Sequence, residues 1–104
     1  VILSRTEDIQ SIKSVICHPE IYDRIQEDGA VSREEFEPTL EAMYIMDEQN
    51  KGVMIYHWVN GITLECHVHV LPEHRREALK FGQLALEWAW DNTEATKIVA
   101  QIPD

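Results

Sequence analysis

Basic residues are scarce in this chain. Nine lysines and arginines stand against nineteen aspartates and glutamates, a net charge of −10. That balance argues against nonspecific nucleic-acid binding and against docking on anionic membranes, because both need cations to neutralise phosphates. It suits a cationic partner such as an amine. Cysteine is nearly absent: Cys17 and Cys66 lie far apart and make no C-x-x-C pattern, which points to two reduced thiols in a cytoplasmic protein. Four glycines and four prolines leave no low-complexity linker. No apolar run is long enough to cross a bilayer, and no signal-peptide pattern opens the sequence. The first residue is Val1 rather than Met, so the natural N-terminus is expected to be missing or processed. At 104 residues the chain is expected to form a single domain over 1–104.

What is present is a change of hydrophobic period along the chain. Val1 to Leu3 makes a short apolar start, read as a strand. Thr6 is a fitting N-cap for a helix over about 7–17, in which Ile9, Ile12, Val15 and Ile16 share a face. Pro19 starts a second short helix through Ile25, which Glu27-Asp28-Gly29 ends, and residues 32–38 read as an acidic loop. Three extended segments follow, over 40–46, 53–59 and 62–71. Asn60-Gly61 between the last two is the signature of a two-residue hairpin, since both positions tolerate positive φ. That turn would pair Val59 with Ile62 and set His57 opposite Leu64. The period then switches to 3.6: Ala78, Phe81, Leu84, Ala85, Trp88 and Ala89 line one face of a helix over about 73–91. Residues 92–96 break it, and 97–102 form a last strand closed by Pro103. The expected fold is α/β, with a mixed, mostly antiparallel sheet flanked by helices.

The chemistry concentrates where the last meander strand meets the long helix. A helix start carries free backbone N–H groups and a positive dipole end, which receives phosphate without further machinery. Arg75, Arg76 and Lys80 place three of the nine basic residues within six positions there. They either bind an anion through charge-assisted hydrogen bonds or form a solvated face with Glu73 and Glu77 as helical partners. Just upstream, period two puts Glu65, His67 and His69 on one face of the strand, with Cys66, Val68 and Val70 on the other. A neutral histidine or a glutamate can take a proton there, or the three residues simply face solvent. A bulge would shift the face and bring Cys66 forward instead. His67-x-His69 also has metal-ligand spacing, with His57 as a third donor across the hairpin, but the expected register does not make these donors converge and no metal is expected.

The stretch Val70-Leu71-Pro72-Glu73-His74-Arg75, followed by Arg75-Arg76-Glu77-Ala78-Leu79-Lys80, resembles the GNAT superfamily of N-acetyltransferases. In that family a central strand ends in V-x-P-E-x-R, and the next helix opens with R/Q-x-x-G-x-G/A around the pyrophosphate of acetyl-CoA. The element order agrees over nearly the whole chain. The resemblance implies acetyl-CoA as cosubstrate and direct acetyl transfer to a small amine or a protein amine. Arg75, Arg76, Glu77, Ala78, Leu79 and Lys80 would hold the pyrophosphate, Val68, His69 and Val70 would pair with the pantetheine arm, and Glu65 or His67 would act as base. Ala78 and Lys80 replace the small residues of the motif, in the manner of degenerate acetyltransferase-like proteins of tailed phages. The sequence ends at Asp104, where the family continues with a helix and a hairpin, so the fold is expected to lack them and to leave a sheet edge open to a second copy or a partner chain. The competing expectation is a catalytically inactive GNAT-fold assembly protein, in a virion for instance.

Overall fold

A computed structural model of the chain describes residues 2–25, 37–38 and 41–100. The expectations for 27–29, for most of the acidic loop at 32–36, and for the end of the last strand at 101–103 lie outside those residues. In chain order the elements are β1 (Leu3–Thr6), α1 (Ile9–Ile16), α2 (Pro19–Ile25), β2 (Met43–Asp47), β3 (Gly52–Trp58), β4 (Thr63–Val70), a 3-10 segment (Pro72–Glu77), α3 (Ala78–Asn92) and β5 (Lys97–Ala100). The five strands form one open sheet in the order β1-β2-β3-β4-β5. Every neighbouring pair is antiparallel except β4 and β5, which run parallel. A parallel pair needs a long crossover, and the 3-10 segment with α3 supplies it. The protein is therefore α/β with a mostly antiparallel sheet.

Helices cover both faces, which explains why β2 reads as an unbroken apolar run, Met43-Tyr44-Ile45-Met46. Met43 and Ile45 join Met54, Tyr56, Leu64 and Cys66 against Phe81, Ala85 and Ala89 of α3. Tyr44 and Met46 join Val53 against Ile12, Val15 and Ile16 of α1 and Ile21 and Tyr22 of α2. On α3 the fully buried Ala85 and Ala89 are small, so the helix can settle close to the sheet. The Tyr56 hydroxyl donates to the Ala85 carbonyl at 2.7 Å and ties strand to helix. Burial pushes the Tyr56 phenol well above its ordinary value, and the neighbouring Cys66 adds to the shift.

Three local expectations are corrected. The cap of α1 is Asp8, not Thr6: Asp8 Oδ1 accepts from the Gln10 amide at 3.0 Å, while Thr6 Oγ1 accepts from Asp8 N–H. The helix reading over 73–91 divides into a 3-10 segment and α3 proper. His74, at φ −117° and ψ 17°, leaves the helical region and breaks the run. Finally, the β3–β4 connection is one residue longer than a two-residue turn. Val59 N–H donates to the Thr63 carbonyl, and Asn60 Oδ1 accepts from both Ile62 and Thr63 amides at 2.9 Å. Neither Asn60 nor Gly61 takes the positive φ a type I′ turn requires.

Candidate functional site

The longer loop decides which side chains meet. A one-residue slip in register moves a whole strand's side chains to the other face. With Val59 opposite Thr63, His57 stands directly across from Glu65, and Ile55 across from His67. The expectation that His57 lies opposite Leu64 is thus corrected, and His57 shares a face with Glu65, His67 and His69. This is the sheet face that α1 and α2 cover further along. His67 Nε2 sits 3.1 Å from Glu65 Oε1, with both side chains 30% exposed. The rings of His57 and His67 meet edge to face, centroids 5.8 Å apart at 79°. Sequence reasoning missed this convergence, and the signal was Asn60, whose side chain can hold a three-residue loop as well as it can enter a tight turn.

A carboxylate only accepts hydrogen bonds, so Nε2 of His67 carries the proton in its contact with Glu65. In the neutral ring the lone pair is then on Nδ1. The pair has the form of a base oriented by a carboxylate. Cys66 does not take its place. The pairing of β3 with β4 runs unbroken from Gly52↔Val70 to Trp58↔Leu64, with no bulge to turn Cys66 outward. Cys66 is buried on the α3 side, and burial, with the Glu65 charge next to it, raises its thiol above the ordinary value. It is not a poised thiolate.

The outer edge of β4 offers backbone groups. Leu71 N–H donates to Lys51 and Val59 N–H to Thr63, so the odd-numbered residues of β4 use their amides on β3. The even-numbered ones turn theirs toward β5. β5 is in register only with Thr63 to Cys66. The N–H and C=O groups of Val68 and Val70 therefore lie past the last described residue of β5. His69, between them, directs its backbone to β3 and its side chain to the face of Glu65 and His67.

The junction beyond Val70 is ordered differently from an open loop. Pro72 begins the 3-10 segment, His74 N–H donates to the Leu71 carbonyl at 2.8 Å, and Ala78 N–H donates to Arg75. Arg75 and Arg76 therefore precede α3, and Ala78, Leu79 and Lys80 form its first turn. No side chain caps this helix start, where Glu77 occupies the cap position. Glu77 contacts Lys51 at 3.2 Å and His74 at 3.3 Å rather than its helical neighbour Lys80. Arg75 pairs with Glu20 in the first turn of α2 at 3.1 Å, with both side chains more than half exposed. The side chains of Arg76 and Lys80 hold no hydrogen bond or ion pair with another described residue. Two cations thus stand exposed at a helix start with no side-chain cap: the solvated face is as expected, with Glu73, Arg76, Glu77 and Lys80 all exposed, but neither Arg76 nor Lys80 is paired with Glu73 or Glu77.

A small cleft of about 60 Å³ opens beside this junction on the α3 face, lined by Val70, Phe81 and Leu84 with Lys51, Glu77 and Lys80 among its walls. It has room for a few waters and none for a nucleotide. Among the described residues no group of three or more histidine, cysteine or acidic side chains is arranged to hold a metal ion, and no helix is long and apolar enough to cross a membrane. No family model matches the chain, and neither the curated proteins nor the solved structures compared with it contain a significant match.

Proposed function

We propose that the protein is an acetyl-CoA-dependent N-acetyltransferase with a GNAT-like fold, acting on an amine by direct transfer. The observation that carries the reading is the arrangement around β4. One edge has backbone groups at Val68 and Val70 turned away from β3. Its end leads to an uncapped helix start with Arg76 and Lys80 uncommitted. One face carries a carboxylate-oriented histidine. The element order also supports it: strand, two helices, three antiparallel strands, helix, parallel strand. In this reading the pantetheine amides pair with Val68 to Val70, and Arg75 to Lys80 hold the pyrophosphate. His67 Nδ1 takes a proton from the acceptor ammonium, and Glu65 stabilises the imidazolium that forms. The free amine attacks the thioester carbonyl, the C–N bond forms, the C–S bond breaks, and CoA leaves as the thiolate, which takes the surplus proton from the attacking nitrogen to give the thiol and the neutral amide. A cytoplasmic setting goes with its cosubstrate.

The second reading is a GNAT-like scaffold without activity, in a phage particle or another assembly. Ala78 and Lys80, where the family motif has small residues, favour it, because a side chain keeps the backbone from approaching a phosphate closely. The outer edge of β5, unpaired among the described residues, is where a second copy or a partner strand would add.

Thermal unfolding separates the two. A ligand of the native state stabilises it by mass action, by about 3 kcal/mol at a hundredfold excess over Kd. Acetyl-CoA is expected to raise the melting temperature of the wild-type protein by several degrees. Arg75→Ala combined with Arg76→Ala is expected to remove most of that rise without lowering the melting temperature of the free protein, since the Arg75–Glu20 pair is exposed and contributes little. A wild-type protein indifferent to millimolar acetyl-CoA supports the scaffold.

A further inference from the structure

We propose that His57 is a positioning residue for the reacting histidine, a role resting on the transferase reading above. His67 is held at one ring nitrogen by Glu65, 3.1 Å away on its own strand. One hydrogen bond leaves an imidazole free to swing about it. The second restraint comes from the next strand. His57 stands across from Glu65 in the β3–β4 ladder and diagonal to His67, a relation in which long and aromatic side chains reach one another. Its ring meets that of His67 edge to face, at a centroid distance of 5.8 Å, within the range of favourable aromatic pairs. Glu65 thus fixes the tautomer and His57 fixes the plane, so that Nδ1 faces one direction. A base must lie within hydrogen-bond reach of the proton it takes, and a misplacement of about 1 Å can cost about a hundredfold in rate. His57 acts through ring contact, not by exchanging protons, and that separates it from Glu65 and His67.

The experiment compares His57→Ala with His57→Phe. Phenylalanine keeps an aromatic ring at the contact and alanine removes it. For His57→Ala, kcat is expected to fall at least tenfold, while KM for acetyl-CoA and the acetyl-CoA-induced rise in melting temperature stay as in the wild type. His57→Phe is expected to retain most of kcat. In the free protein, the carbon-bound ring protons of His67 are expected to shift in His57→Ala and to keep near-wild-type ring-current shifts in His57→Phe. A purely structural role would lower the melting temperature and leave kcat alone, so an unchanged kcat in His57→Ala overturns the proposal. Equal losses in both variants also overturn it, because they assign His57 a proton rather than a contact. Absence of transfer by the wild-type protein overturns the transferase reading and this proposal together. Transfer by a wild type that His57→Ala matches overturns this proposal only.

Discussion

Replacing His67 by glutamine is expected to lower kcat by about 100- to 10,000-fold, the range a positioned general base contributes. Glutamine fills a similar volume and can still hydrogen-bond Glu65, but it has no lone pair basic enough to take the ammonium proton. His67 is part-exposed on a strand whose apolar residues Leu64 and Cys66 face the other way, so the substitution leaves the core packing intact and stability within about 0.5 kcal/mol. In the proposed function acetyl-CoA binds along the β4 edge and the α3 start, away from the His67 side chain, so its effect on the melting temperature should persist. Steady-state kinetics at saturating acetyl-CoA with a panel of primary amines checks this. Glu65→Gln is expected to lose less, because the amide oxygen can still accept from Nε2 although it no longer stabilises a cationic ring. The reverse order, with Glu65→Gln inactive and His67→Gln active, would make the carboxylate itself the base.

Stability is expected to fall on the alkaline side. Tyr56 is fully buried with its hydroxyl on the Ala85 carbonyl, and its phenol is raised well above 10.0 in the fold. The unfolded chain ionises at the ordinary value, so the stabilisation from a neutral Tyr56 is complete below pH 10 and is lost as pH climbs from there toward the native value. Tyr56 alone accounts for about 1 kcal/mol by pH 11, or about 4–8 °C in melting temperature for a domain of this size. Cys66 acts in the same direction from about one unit lower, since its thiol is also raised above 9.0 by burial and by Glu65. Melting temperatures measured from pH 7 to 11 should be flat to about pH 9 and then fall. Tyr56→Phe should be less stable by about 1 kcal/mol at pH 8, for loss of a buried hydrogen bond, and should fall less steeply above pH 10. An identical alkaline slope in the variant would place the loss elsewhere.

The helices and strands were legible where one period dominates. Phe81, Ala85 and Ala89 return every four residues and all three are buried under the sheet. Alternation in β4 correctly put Glu65, His67 and His69 opposite Cys66, because a strand's period is fixed by its backbone. What failed was decided by side chains acting on nearby backbone. Asn60 hydrogen-bonds two amides and stretches the hairpin loop to three residues, and that single residue determines whether His57 shares a face with Glu65 and His67. Asp8 outcompetes Thr6 as cap because its carboxylate reaches two amides of the first turn. His74 interrupts the helix after Pro72, so the arginines sit before α3 rather than within it. Each is a local competition worth about 1 kcal/mol, too small to read in a hydrophobic pattern and large enough to move a functional side chain.

In the proposed function acetyl-CoA lies along the outer edge of β4 and against the start of α3. Backbone amide spectra of isotope-labelled protein, recorded as acetyl-CoA is added, test this most directly. The amides of Val68, Val70 and residues 75–80 are expected to shift together and saturate on one binding curve, while those of β1 and β2 hold still. Amides at 68–80 that stay in place at millimolar acetyl-CoA would contradict it.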